Sequence, residues 1–111
     1  MKIIIFGADG KMGRHVAELC SGERPMADIA ALVSRSFEND LDKSTYGSLK
    51  DFGGSADAVV DFSNHSTTAE LLDYCTKRML PLVIATTGQT DAERELIRNA
   101  SSRIPIFFSA N

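Results

Sequence analysis

The sequence predicts an α/β fold, an open and mainly parallel sheet with helices on both faces. Three observations carry that expectation. Short apolar runs alternate with stretches of helical periodicity from one end of the chain to the other. The first run breaks at a glycine-rich turn and becomes helical within thirteen residues, Met1 to Gly13. Four polar clusters each follow a predicted strand directly, and in a parallel sheet such clusters gather at the C-terminal edge, where ligands bind.

The first element is the most explicit. Lys2 to Phe6 is a continuous apolar, largely β-branched run, the pattern of a central strand buried on both faces. Met12, Val16, Leu19 and Cys20 then fall at i, i+4, i+7 and i+8, which predicts a helix with that face on the sheet. Gly7, Gly10 and Gly13 lie in and just beyond the turn. Against the dinucleotide fingerprint G-x-G-x-x-G, the second and third glycines are present, while Ala8 replaces the first and Gly7 precedes it. A pyrophosphate can settle on a helix N-terminus only where no Cβ covers the backbone N–H groups, the condition Gly10 meets; Gly13 lets helix and strand pack closely. The expectation is a Rossmann-type dinucleotide-binding domain.

Composition sets bounds around that reading. A chain of 111 residues fits one domain, here residues 1–111, with a genuine core. Hydrophobic residues at 43% and charged residues at 24% argue against disorder. A net charge of -3 provides no basic field, so nucleic acid is not an expected partner. No apolar run approaches the roughly 18 residues of a membrane span. The N-terminal residues lack the form of a signal peptide, so the expected location is the cytoplasm. Cys20 and Cys75 sit among apolar residues with no neighbouring His cluster, as core thiols do, and no metal site is expected.

The remaining elements follow in order. Ser21, Gly22 and Pro25 end the first helix, and Met26 to Val33 reads as the second strand. It delivers Ser34, Arg35 and Ser36 to the place where this fold reads the adenosine ribose. An acid there would exclude a 2′-phosphate. Arginine presents a fork of donors to one, and serine hydroxyls can add to it, so NADPH is expected to be tolerated and preferred. Phe37 to Ala56 is irregular, with a short strand near Thr45 and Tyr46, a turn anchored by Leu49 and Phe52, and a solvated acidic run around Glu38, Asp40 and Asp42. Asp57 to Phe62 is the next strand, with Ser63 or Asn64 as the cap of a helix that turns Ala69, Leu72, Cys75 and Met79 inward before Pro81. Leu82 to Ala85 is a short strand running into Thr86-Thr87-Gly88. Thr90 and Glu93 form a capping box for a helix with Ala92, Leu96, Ile97 and Ala100 inward. Ile104 to Phe108 is the last strand, followed by Ser109-Ala110-Asn111.

G-A-D-G-K-M-G-R at 7–14, V-D-F-S at 60–63, A-T-T-G at 85–88 and F-S-A-N at 108–111 together resemble the 4-hydroxy-tetrahydrodipicolinate reductases, also called dihydrodipicolinate reductases, of the route to diaminopimelate and lysine. The resemblance spans the whole chain but only that family's N-terminal, cofactor-binding domain. It implies NADPH and NADH as cofactors. It implies that Gly7, Ala8, Asp9, Gly10, Lys11 and Met12 form the pyrophosphate loop, with Lys11 where many members have Arg. Arg35 then lies near the adenosine ribose and its phosphate, with Ser34 where an acid often stands. Phe62 and Ser63 lie beside the nicotinamide ribose and ring, and Ala85, Thr86 and Thr87 at the carboxamide. Ser109, Ala110 and Asn111 begin the segment that closes around the nicotinamide.

The family's second domain, which carries the small dicarboxylate substrate's site, the His-His pair, the Lys and the homotetramer interface, is not in this chain. No catalytic residue is therefore expected here. His15 and His65 read as surface residues, because neither has the paired base and orienting partner that acid–base work needs, and Asp61, at a strand end, reads as structural rather than as a base. Two rivals share the same features: the cofactor domain of another NAD(P)-dependent dehydrogenase, and a stand-alone dinucleotide-sensing module.

Overall fold

The structure, a computed structural model, describes residues 1–21, 27–37 and 45–108. Gly22, Pro25, Met26, the acidic run at Glu38, Asp40 and Asp42, and the segment Ser109-Ala110-Asn111 lie outside the described residues. Six strands form one sheet: β1 (Lys2–Phe6), β2 (Asp28–Val33), β3 (Thr45–Tyr46), β4 (Ala58–Asp61), β5 (Leu82–Ile84) and β6 (Ile106–Phe108). Their spatial order is β3-β2-β1-β4-β5-β6, and every neighbouring pair is parallel. Chain order therefore runs outward in opposite directions from the central pair β1 and β4. That reversal opens a crevice at the strands' C-terminal ends.

Right-handed crossovers on opposite sides of the reversal put the helices on opposite faces. The period of two along β1 sorts its side chains accordingly. Ile3 and Ile5 join Val16, Ala17 and Cys20 of α1 (Lys11–Leu19 and its C-terminal cap). Ile4 and Phe6 join Leu71, Leu72 and Cys75 of α2 (Thr68–Arg78) and Ile97 and Ala100 of α3 (Asp91–Ala100). Ile4, Ile5, Val59 and Leu71 are fully buried, each contributing roughly 1.5–3 kcal/mol of hydrophobic stabilisation. Leu49 and Phe52 anchor a single 3-10 turn onto the same core as α2. Cys20 and Cys75 are buried free thiols. Burial pushes the Cys75 thiol up to about 12, which makes it inert. Among the described residues no helix is long and apolar enough to cross a membrane.

The strands match the expectation closely, with shorter β2, β4, β5 and β6. The inward faces of the helices do not. In α1, Met12 and Leu19 are exposed, and the sheet-facing residues are Gly13, Val16, Ala17 and Cys20. A Cβ on Gly13 would stand 2.5 Å from the Gly7 carbonyl oxygen and 2.8 Å from the Ala8 Cα, so α1 lies too close to the β1 turn for a Met or Leu to fit beneath it. In α2, Ala69 and Met79 face out while Thr68, Leu71 and Tyr74 are buried beside Leu72 and Cys75. Met79 is instead the left-handed C-terminal cap, at φ 54°, followed at one residue's remove by Pro81. In α3, Ala92 and Leu96 are exposed, and Ile97 and Ala100 carry the contact.

Candidate functional site: a trough along the C-terminal rim

Because the sheet is parallel, the turns after Phe6, Val33, Asp61 and Ile84 emerge on one rim. Backbone hydrogen bonds fasten each to its neighbour. Gly7 N–H and Ala8 N–H donate to Val33 O at 2.8 and 3.2 Å, Phe62 N–H to Phe6 O at 2.7 Å, and Ala85 N–H to Asp61 O at 3.0 Å. Gly7 adopts φ +80°, and a Cβ there would lie 2.5 Å from the Ser63 backbone nitrogen. The glycine turn and the turn after β4 therefore touch at bare backbone, which no other residue type permits.

Two connected clefts result. A cavity of about 710 Å³ is lined by Gly7, Asp9, Gly10, Ser34, Arg35 and Ser48, among others, and reaches Phe62 and Ser63. A smaller one of about 440 Å³ continues from Gly10, Phe62 and Ser63 to Lys11, Met12, Ala85, Thr86 and Thr87. At their junction sits the N-terminus of α1. Gly10 is its N-cap and supplies no side-chain hydrogen bond, and the first turn holds no acidic residue. The first-turn N–H groups of Lys11, Met12 and Gly13 are thus left uncapped at the positive end of the helix. A Cβ on Gly10 would meet nothing closer than the Gly7 carbonyl oxygen at 3.5 Å. The space that glycine leaves open belongs to the trough.

Behind the second cleft, Asp61 is buried and braces both flanking turns. Its Oδ1 accepts from the Ser63 N–H at 2.9 Å and from the Ser63 hydroxyl, and its Oδ2 accepts from the Thr86 hydroxyl at 3.3 Å. Gln89 Nε2 donates to the Thr86 hydroxyl at 3.0 Å and to Thr86 O at 3.2 Å, extending the brace. Burial pushes the Asp61 carboxyl upward, against the lowering effect of the Ser63 and Thr86 donors. Asp61 positions the rim. It is a strut rather than an exposed base.

His65 is more than a surface residue. Its Nδ1 lies 2.8 Å from Glu93 Oε1, and Glu93 also accepts from the Thr90 N–H at 2.8 Å in the capping box of α3. The pair ties the entry to α2 to the entry to α3. Asn64 Oδ1 accepts from Ser66 N–H at 2.9 Å, capping a 3-10 turn (His65–Thr67) that leads into α2 rather than α2 itself.

Of the residues expected from the sequence, Gly7, Asp9, Gly10, Lys11, Met12, Ser34, Arg35, Phe62, Ser63, Ala85, Thr86 and Thr87 all line this trough. Ala8 does not. Its side chain is buried against α1 and its N–H is engaged by Val33 O, because that residue forms the floor on which the turn rests. Ser109, Ala110 and Asn111 lie outside the described residues. Sequence reasoning missed Ser48, Asp51, Asn64, Thr67 and Glu70, which also line the larger cleft. Asn64, Thr67 and Glu70 follow the V-D-F-S cluster on the chain and could have been inferred from it. Ser48 and Asp51 arrive from across the sheet and carry no local signal.

The family model described as dihydrodipicolinate reductase, N-terminus, matches residues 1–111. This chain belongs to that family. The chain is 41% identical over 111 residues to a 4-hydroxy-tetrahydrodipicolinate reductase of Caldanaerobacter subterraneus subsp. tengcongensis, covering all of the chain and 43% of the relative. It is 39% identical to the enzyme of the same name from Clostridium tetani, again covering all of the chain and 43% of the relative. The chain thus spans less than half the length of these curated relatives. Among solved structures, myo-inositol 2-dehydrogenase from Lactobacillus plantarum aligns with a TM-score of 0.76 at 14% identity, covering 98% of this chain and 36% of that one. An oxidoreductase from Agrobacterium radiobacter, in complex with NAD+, L-tartaric acid and magnesium, aligns with a TM-score of 0.70 at 16% identity, covering 97% and 34%. Those two likenesses establish the Rossmann-type fold.

Proposed function

We propose that this chain is the dinucleotide-holding part of a 4-hydroxy-tetrahydrodipicolinate reductase, with NADH and NADPH as cofactors, working in the cytoplasm. The observation that carries the reading is the uncapped N-terminus of α1, set midway along an extended trough with a guanidinium at one end and hydroxyl-bearing turns at the other. The residues present fit the group. Ser48 lines the cleft that would take the adenosine half, and its buried hydroxyl has no hydrogen-bond partner within the protein among the described residues. The open space over Gly10, where a Cβ would meet nothing closer than 3.5 Å, is a cradle for the phosphates.

In this reading the α1 N–H groups of Lys11, Met12 and Gly13 hold the pyrophosphate, and the Lys11 ammonium adds positive charge beside it. Ser34 and Arg35 hold the adenosine ribose. Phe62, Ser63, Ala85, Thr86 and Thr87 orient the nicotinamide, kept in place by Asp61. The bound nicotinamide supplies hydride, so that the cyclic hydroxy-dicarboxylate gains one hydride and one proton and loses water. Binding of that dicarboxylate, the proton donor and assembly into a tetramer fall to parts of the longer relatives that this chain does not match; Ser109, Ala110 and Asn111 would lead toward them.

The test is calorimetric titration of the chain with each cofactor, wild type beside Gly10→Ala. A methyl group at the mouth of the α1 N-terminus is expected to weaken binding by about tenfold while the fold survives. Absence of binding by either cofactor to the wild type would contradict the reading.

A further inference from the structure

The adenosine end of the trough is acidic in a way the end of β2 does not announce. Taken by themselves, Ser34 and Arg35 favour a 2′-phosphate. The glycine turn, however, is fastened to the last residue of β2 through two hydrogen bonds onto Val33 O, which brings Asp9 to the cleft that Ser34 lines. The Ser34 and Ser36 hydroxyls lie 3.2 Å apart, and Ser34 lines the same cleft as Asp9. The Ser34 hydroxyl also accepts from the Ser36 N–H at 3.3 Å. The cleft floor at the end of β2 is thereby shared with an anion that belongs to the protein. Among the described residues, the ionisable side chains lining this cleft are Asp9, Asp51 and Glu70 against the single cation Arg35.

We propose that Asp9 is a specificity-determining residue that makes this cleft select NADH over NADPH, with Asp51 and Glu70 reinforcing the same field. The inference rests on the dinucleotide reading above. A ribose hydroxyl can donate to a carboxylate, whereas a 2′-phosphate adds a charge of about -1.5 to -2 beside three carboxylates and one guanidinium. Serine donors first, with the nearby Arg14 charge contributing, hold the Asp9 carboxyl below its usual range, so it remains charged at neutral pH. Arg35 still attracts a phosphate, so NADPH binds, but more weakly.

The experiment is a fluorescence titration of the chain with NADH and with NADPH at low and at high ionic strength, for wild type, Asp9→Asn and Glu70→Gln. The wild type is expected to bind NADH at least tenfold more tightly at low salt, with the ratio shrinking as salt screens the carboxylates. Asp9→Asn is expected to narrow the ratio at least fivefold, chiefly by tightening NADPH. Glu70→Gln lies at an exposed helical position, preserves the fold, and is expected to narrow the ratio about twofold by the same screening logic. Equal affinities in the wild type, or a ratio unmoved by both substitutions, would overturn the proposal while leaving the dinucleotide reading intact. Failure of the wild type to bind either cofactor would overturn both.

Discussion

The N-termini of α1 and α3 lie on the same sheet edge and solve opposite problems. α3 is closed by its own side chains: Thr90 Oγ1 accepts from the Glu93 N–H at 3.1 Å, Glu93 accepts from the Thr90 N–H, and Asp91 and Glu93 place negative charge in the first turn. Its orphan donors and its dipole are satisfied internally. α1 has a glycine cap, no capping side chain and no acid in its first turn. One end is finished as protein. The other is left open, which supports the proposal that the dinucleotide's phosphates sit at α1.

Substitutions should separate the two ends, beginning with the largest effect. Gly7→Ala forces an L residue to φ +80° and drives a methyl group to 2.5 Å from the Ser63 backbone. A loss of about 3 kcal/mol is expected in denaturant unfolding, since left-handed strain and overpacking add. Thr90→Ala opens the capping box of α3 and is expected to cost about 1 kcal/mol with cofactor affinity unchanged. Gly10→Ala should do the reverse, altering stability by less than about 0.5 kcal/mol, as its φ of -75° suits any residue and nothing in the protein opposes a methyl group, while weakening cofactor binding. If Thr90→Ala and Gly10→Ala affected the same property, the contrast between the two ends would fail.

The smallest expected effect is on pH dependence. The Thr90 N–H first, then the His65 partner, holds the Glu93 carboxyl below its ordinary value of 4.5. A depressed carboxyl contributes stability that is present above its unfolded value and lost as pH falls through the folded one. The unfolding midpoint of the wild type should therefore decline below about pH 4.5, and Glu93→Gln should flatten that decline, because part of the proton uptake on unfolding disappears. An identical acid limb in the two proteins would remove Glu93 from the α3 cap.

The sheet was legible because β1, β4 and β5 are short, apolar and bounded by turn residues, and the rim followed from their being parallel. The capping box at Thr90 and Glu93 was legible for the same reason: its chemistry is local. What could not be read was how closely each helix approaches the sheet. Hydrophobic spacing favoured Met12, Leu19 and Met79, yet Gly13, Val16, Ala17 and Cys20 face the sheet from α1, Gly13 because a Cβ there would strike the Gly7 carbonyl oxygen, and Thr68, Leu71 and Tyr74 join Leu72 and Cys75 on the buried face of α2. The sharing of one cleft by Asp9 and Ser34 was equally hidden, since twenty-five positions separate them and the hydrogen bonds onto Val33 O bring their turns side by side. In the proposal above, that juxtaposition makes the adenosine end acidic rather than phosphate-seeking.

The most direct test of an open α1 end is the backbone amide spectrum of the chain followed while NADH is added. The account predicts that the amides of Lys11, Met12 and Gly13 shift, with those of Phe62, Ser63, Thr86 and Thr87 moving in the same titration, while Ala92 and Glu93 in the first turn of α3 stay in place. Shifts confined to α3, or none at the start of α1, would contradict it.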